Sequence, residues 1–390
     1  MQKNQIARIF TIAVLVCAAS TFIGPRHSQP QGMQRKLQKA PDLILRNYHP
    51  MSMLVTEYHV PQRAKFQVID VHNHLGNVES RGSAMDPAAC IKEMDAAGIA
   101  QVVNLDGGWG ETLKATVAKF EKAYPGRFLT YARVDWTKVN DPNFGAMAAA
   151  QLEADVKAGA YGLKIAKSDI GLTRKYPDGR VVPVDDPRFD PIWTKCGELK
   201  IPIEIHVGDP AAFFTPLDKN NERYEELQDH PDWLFYPGYP PLETILAQLI
   251  NVVARHPRTT FIGAHVGCYA EDLKWVSERL DKYSNFFVSI DARISELGRQ
   301  PYAARKFLIK YQDRVLFGTD TSPDAEAYRI YYQFLETADE YFDVARSHHY
   351  QGRWMVYGMY LPDEVLEKIY YRNAVRLIPG AGIRKRVQSR

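Results

Sequence analysis

Residues 66–75 read Phe66-Gln67-Val68-Ile69-Asp70-Val71-His72-Asn73-His74-Leu75, an apolar run that ends in two histidines separated by an asparagine. The run predicts a strand. Asp86-Pro87 then predicts a helix start, because an aspartate can cap the first amides and a proline at the first position needs no amide partner. That helix carries Ile91, Met94 and Ala97 on one stripe and stops at Gly98. The alternation continues outward along the chain. Strands are expected at 101–105, 128–132, 161–165, 201–206, 260–264, 286–290 and 314–318, with helices at 111–124, 144–158, a segment ending near Lys200, and 300–311. Leu242, Ile245, Leu246, Leu249 and Val253 form one further helical stripe, and Leu273, Val276 and Leu280 another. Strands separated by helices imply a parallel sheet with right-handed crossovers, and eight such repeats close a (β/α)8 barrel. We therefore expect an α/β protein, a distorted TIM-type barrel with an inserted loop after strand five and additional C-terminal helices. A doubly wound open sheet is the alternative.

Composition agrees with a folded chain: 390 residues, 45% hydrophobic and 24% charged. With 49 basic against 46 acidic residues and no basic run before Arg384, Lys385, Arg386 and Arg390, nucleic acid is not an implied partner. Residues 1–24 stand apart. Lys3 and Arg8 precede an uncharged stretch, 9–24, with Ala18, Ala19 and Ser20 where a peptidase could cut. This predicts an export signal and a periplasmic or secreted protein. An uncleaved segment anchoring the chain to a membrane is the alternative, although the stretch falls short of the ~20 apolar residues of a spanning helix. Cys17 follows bulky Val16, against a lipoprotein site. Residues 25–60 hold Pro25, Pro30, Pro41 and Pro50 among Gln, Lys and Arg, the composition of an arm. The barrel domain is expected at 61–380, followed by a basic tail at 381–390. Cys90, Cys196 and Cys268 have no CxxC spacing, allow at most one disulfide, and read as small buried hydrophobes.

Barrels of this kind carry their chemistry at the carboxyl ends of the strands. His72 and His74, one pleat apart, can converge on one ion, and Asp70 shares their face. The fifth strand ends at His206, the sixth at His265 and the eighth at Asp320. Any one of these could be a surface or core side chain. Together they bring nitrogen and oxygen donors to a single mouth.

These residues resemble the metal-dependent amidohydrolase superfamily, in the amidohydrolase-related branch that includes aminocarboxymuconate semialdehyde decarboxylase and similar decarboxylases. The resemblance runs over roughly 66–378, down to Tyr371-Arg372-Asn373-Ala374-Val375-Arg376-Leu377. It implies one divalent ion, expected to be Zn2+, held by His72, His74, His206 and Asp320, with His265 as catalytic acid/base and Asp320 sharing the catalysis. Neutral imidazoles leave such an ion mostly unneutralised, so the pKa of bound water falls from about 15.7 towards roughly 7.

Other polar residues join the expected pocket. Lys164, at the fourth strand end, reads as an ammonium facing substrate; the resemblance also offers a carbamylated lysine bridging two metals. Arg133 can clamp a carboxylate. Asn104, Asp106 and Asp291 stand at further strand ends. The insertion after strand five carries Asp209 and Trp233, expected to bind substrate under an aromatic cover. Tyr328, Tyr331, Tyr332, Tyr341, Tyr350, Trp354, Tyr357 and Tyr360 follow strand eight and read as helix packing or a contact between two subunits of a homodimer. There is no GxSxG elbow, Walker loop or dinucleotide spacing.

Three functions compete on this evidence. The first is a metal-dependent hydrolase of a small amide, ester or lactone. The second is a metal-dependent decarboxylase of an aromatic or enol acid, and the third a non-catalytic binding barrel. In each case the partner is a small molecule.

Overall fold

The computed structural model describes residues 40–77, 85–345 and 350–382. The export signal or anchor expected at 1–24, the first part of the arm and the basic residues from 384 onward lie outside the described residues. Compactness divides the chain between Leu54 and Val55. That boundary precedes the expected 60/61 because Thr56 and His59 already hydrogen-bond to Glu340 and Asp339. In the first unit the described residues are all exposed and form one 3-10 turn, Leu45–Asn47.

In the second unit, eight strands occur where the sequence places them: β1 Val68–Asn73, β2 Ile99–Asn104, β3 Phe128–Thr130, β4 Leu163–Ile165, β5 Ile203–Ile205, β6 Phe261–Gly263, β7 Phe286–Ser289 and β8 Val315–Leu316. All neighbouring pairs are parallel, in a three-stranded sheet β1-β2-β3 and a five-stranded sheet β4-β5-β6-β7-β8. Single bridges join the two sheets at both seams, Ala132 to Leu163 and Asn73 to Thr321. At the second seam Val71 N–H donates to Phe317 O, Asp320 N–H to His72 O, and His74 N–H to Thr321 O. The distorted (β/α)8 arrangement is therefore the observed one, with ladders reduced to two or three residues at its tightest parts. Strands buried on both faces explain the continuous apolar runs.

Helices cover the outside for the reasons read in the sequence. Pro87–Ala97 is capped by Asp86, which accepts from Ala88 N–H, and ends at Gly98 with φ 83°. Leu242–Arg255 buries Leu242, Ile245, Leu246, Leu249 and Val253 against the strands. Gly110–Val117 continues as a π-helical turn, Ala118–Lys122, within the segment expected as one helix. The barrel interior is a second apolar cluster containing Ile69, Val103, Leu129, Ile262, Phe287 and Leu316, which the helix Asn373–Leu377 meets through Ala374. In β1, β6, β7 and β8 this apolar residue comes before His72, His265, Asp291 and Asp320, so parallel strands set a polar rim at one end. The tyrosines of the helix Ala325–Glu336 are core: Tyr328, Tyr331 and Tyr332 are buried. Among the described residues no helix is long and apolar enough to cross a membrane.

Cys90, Cys196 and Cys268 are free and buried. Burial pushes the Cys90 thiol up to about 11 and raises the other two. Thiolate is the reactive form. At pH 8 these three positions should resist a thiol reagent in the native protein and react together on denaturation, as read by peptide mass spectrometry; rapid native labelling would contradict the packing.

Candidate metal centre

Four strand ends deliver the site. β1 runs into fully buried His72 and half-buried His74, β5 into His206, β6 into His265 and β8 into Asp320. Two of these turns are left-handed. His265, Val266 and Gly267 all have φ between 57° and 71°, and Asp320 has φ 66°. Such conformations cost a non-glycine residue about 1–3 kcal/mol, and surrounding structure must hold them. Here the holding group is Asp291, whose Oδ2 accepts from His265 N–H at 2.9 Å.

The distances define a compact donor set. His72 Nε2 and His74 Nε2 each lie 3.2 Å from Asp320 Oδ1. His265 Nε2 is 3.8 Å from Asp320 Oδ2 and 3.3 Å from His206 Nδ1. Donor atoms of His72, His74 and Asp320 all lie within 4.8 Å of one another, as do those of His72, His265 and Asp291. His206 is not part of either group; it joins the cluster through His265. Asp70, expected on the histidine face, is instead tied to Thr319 and to the His72 amide.

Every imidazole is held at its outer nitrogen by a carboxylate. His74 Nδ1 meets Asp106 at 2.9 Å, His206 Nε2 meets Asp209 at 3.3 Å, and His265 Nδ1 meets Asp291 at 2.9 Å. His72 Nδ1 meets both Asp291, at 3.0 Å, and Glu204, at 3.1 Å. In a neutral ring such a contact favours the tautomer whose inner nitrogen carries the lone pair. Burial opposes the charged form of His72, but Asp291 and Asp320 hold its pKa well above the ordinary value. Conversely, burial pushes His206 well below it, and His265 adds to the effect. Asp291 and Asp320 resist their own burial because His72 faces both, and each stays well below the usual carboxylate range.

The donors suit a divalent ion. Ligand atoms about 2.1 Å from one tetrahedral ion stand roughly 3.4 Å apart, close to the 3.2 Å separations from Asp320. One oxygen each of Asp291 and Glu204 is buried with no hydrogen-bond partner among the described residues, an excess of acid that a cation offsets.

The remaining expected residues divide. Arg133 pairs with Asp169 at 3.0 Å and lines a pocket of about 660 Å3 with His74, Asp106 and Arg174. Lys164 is buried, its Nζ 3.2 Å from His72 Nε2, and burial lowers its pKa. Asp209 is buried against His206 and Lys167. Trp233 stacks on His230 at 4.1 Å and reaches neither pocket beside the donor set. Asn104 accepts from the amides of Leu75 and Asp106 and shapes the turn after β1.

Sequence reading missed Glu204 and the walls of a second cavity. That cavity, about 190 Å3, lies beside Asp320 and is lined by Ile294, Ser295, Tyr331, Val344, Gln351 and Trp354, among others. Behind Trp354 stand Arg299, 4.1 Å from the ring centre, and Arg223, at 5.3 Å. Arg223 comes from the insertion and is itself buried, paired with Glu226 at 2.7 Å and with Glu296. An arginine and glutamates within a long insertion were the available signal, but pairing across 73 residues is invisible in one sequence.

Residues 69–380 match the amidohydrolase family. No curated protein matches the chain in sequence. Among solved structures, a 2,6-dihydroxybenzoate decarboxylase complexed with 2,6-dihydroxybenzoate is 17% identical over 80% of this chain and 98% of its own, with a TM-score of 0.52. A 2,6-dihydroxybenzoate decarboxylase from Rhizobium gives 18%, the same two coverages and 0.52. A dihydroxybenzoic acid decarboxylase from Polaromonas, with bound manganese and the inhibitor 2-nitroresorcinol, gives 16%, 80% of this chain, 96% of its own and 0.52. At these identities the likeness is one of fold.

Removing one partner of a buried ion pair strands the other charge. Arg223→Met should therefore lower unfolding stability by about 3–5 kcal/mol, read from denaturant titration. An unchanged midpoint would mean that Glu296 does not depend on this arginine.

Proposed function

The chain belongs to the amidohydrolase family and is an enzyme of its metal-dependent type, and from that premise we propose a carboxy-lyase that removes carbon dioxide from a small aromatic or enol acid. One observation carries the choice: the cavity of about 190 Å3 beside Asp320, walled by Ile294, Tyr331, Val344 and Trp354. An apolar cavity of about 150 Å3 accommodates benzene, so this one, with Ser295, Thr319 and Gln351 also on its walls, has room for a single ring bearing polar groups. The decarboxylases similar in fold act, by their names, on one-ring acids, which supports the same choice.

His72, His74 and Asp320 are the ligands we assign, with His206 as a further one that burial keeps neutral. An imidazole-rich set suits zinc, whereas the Polaromonas protein holds manganese. A bound divalent ion supplies Lewis acidity towards a carboxylate or enol oxygen. Arg133 and Arg174 flank the wider pocket on the His74 side and can orient a substrate carboxylate. His265, oriented by Asp291, keeps Nε2 towards Asp320. As the bond to the carboxylate carbon breaks, its electron pair stays on the substrate carbon, and His265, loaded beforehand with a solvent proton at Nε2, delivers that proton to the carbon in place of carbon dioxide. Proton transfer of this kind contributes about 10² to 10⁴ in rate.

Hydrolysis of a small amide, ester or lactone is the second reading. It is favoured by the width of the His74-side pocket, about 660 Å3, which admits water. Here His265 would protonate the departing group instead of carbon. Export of the protein remains a proposal from the N-terminal pattern alone.

Purified protein should carry about one equivalent of a divalent ion, and His74→Ala should lose most of it by elemental analysis; full retention would remove His74 from the ligand set. His265→Asn should keep the ion and lose at least about 10²-fold in turnover. Incubation with pooled small acids and carbonyl compounds, followed by mass, separates the readings: loss of carbon dioxide supports the carboxy-lyase, and gain of water replaces it with the hydrolase.

A further inference from the structure

Glu204 stands where the fold calls for an apolar side chain. It is the middle residue of β5, in register with Ile262 of β6, which pairs in turn with Phe287 of β7. Both neighbours belong to the apolar interior of the barrel. A carboxylate in that row is fully buried and carries a desolvation penalty of several kcal/mol unless other groups offset it. Three groups do so. Ser289 Oγ donates to Oε1 at 3.0 Å, His72 Nδ1 meets the same oxygen at 3.1 Å, and Lys164 of β4 is its register partner on the other side.

We infer that Glu204 is a positioning residue of the metal centre, holding His72 by Nδ1 so that Nε2 is kept for the ion. The inference rests on the metal reading above. His72 is the only described imidazole of the site with two carboxylates on one nitrogen, Glu204 and Asp291. Their duties differ. Asp291 also holds His265 through its ring and its amide, so its loss would disturb acid/base chemistry and ion together. Glu204 contacts His72 and no other imidazole of the site, so it acts on ion binding alone. A neutral imidazole that donates from Nδ1 presents a lone pair at Nε2, and an outer carboxylate raises the basicity of that lone pair.

The test uses the full chain, stripped with a chelator and titrated with Zn2+ against a chromophoric competitor. Glu204→Gln, which keeps size and removes charge, should bind Zn2+ about 10–100-fold more weakly. Nitrogen NMR of the Zn2+-loaded, histidine-labelled protein should place the single His72 proton on Nδ1 in the unmodified chain and show that preference weakened in the variant. The melting temperature of the metal-free forms provides the structural control. A lowered melting temperature with unchanged Zn2+ affinity overturns the inference. If Glu204→Gln does not fold, Ser289→Ala loosens the same carboxylate and should weaken Zn2+ by about 2–10-fold; unchanged affinity there overturns the inference equally. Failure of the unmodified chain to bind Zn2+ sinks the metal reading itself, whereas normal binding by both chains sinks only the role of Glu204.

Discussion

Four imidazoles crowd the mouth of the barrel, each tied at its outward nitrogen to a carboxylate, and the rest of the site depends on those ties. Desolvation alone would leave the rings free to rotate and the acids protonated. Because Asp106, Asp209, Asp291 and Glu204 lie against His74, His206, His265 and His72, each ring has one orientation, and Asp106, Asp209 and Asp291 keep their charge near a donor. Asp291 is the most heavily used of them. A single oxygen, Oδ2, contacts His72 Nδ1, His265 Nδ1 and the His265 amide.

That use of Asp291 also accounts for the backbone. Left-handed residues at His265 and Asp320 are unfavourable turns, yet they set two side chains at the rim within 3.8 Å of each other. The His265 turn is fastened by Asp291 Oδ2, while Asp320 N–H donates to His72 O across the seam of the barrel. The seam of the cylinder and the site thus share residues. The β1–β8 seam has few ladder bonds, and three of them lie at His72, His74 and Asp320 or at residues directly beside them.

The insertion after β5 contributes differently from what its aromatic residues suggest. Trp233 packs within the insertion, against His230 and Phe213. It is Arg223, from the same segment, that reaches the barrel, pairing with Glu296 and backing the ring of Trp354. The insertion therefore contributes a buried charge behind one wall of the cavity beside Asp320. The wall, with Tyr331 and Ile294, bounds the cavity beside Asp320.

The eight strands, their helices and the strand-end residues His72, His74, His206, His265 and Asp320 were all legible in the sequence. Their signals are local: apolar runs, 3.6-residue stripes, an Asp-Pro cap, a Gly stop, and polar residues at the ends of runs. Glu204 was not legible, because a carboxylate between two isoleucines in a short strand has meaning only once β4, β6 and β7 are set beside it. Asp209, expected from the sequence to bind substrate, is a buried partner of His206, and Lys164, expected to face substrate, lies against His72. Sequence by itself determined which residues arrive at the mouth of the barrel, since periodicity is written along the chain. Tertiary structure alone decided which nitrogen each ring presents and which acid holds it, since the rings of His72, His74 and His265 meet acids on other strands or strand ends and even His206 and Asp209 depend on how the chain turns after β5.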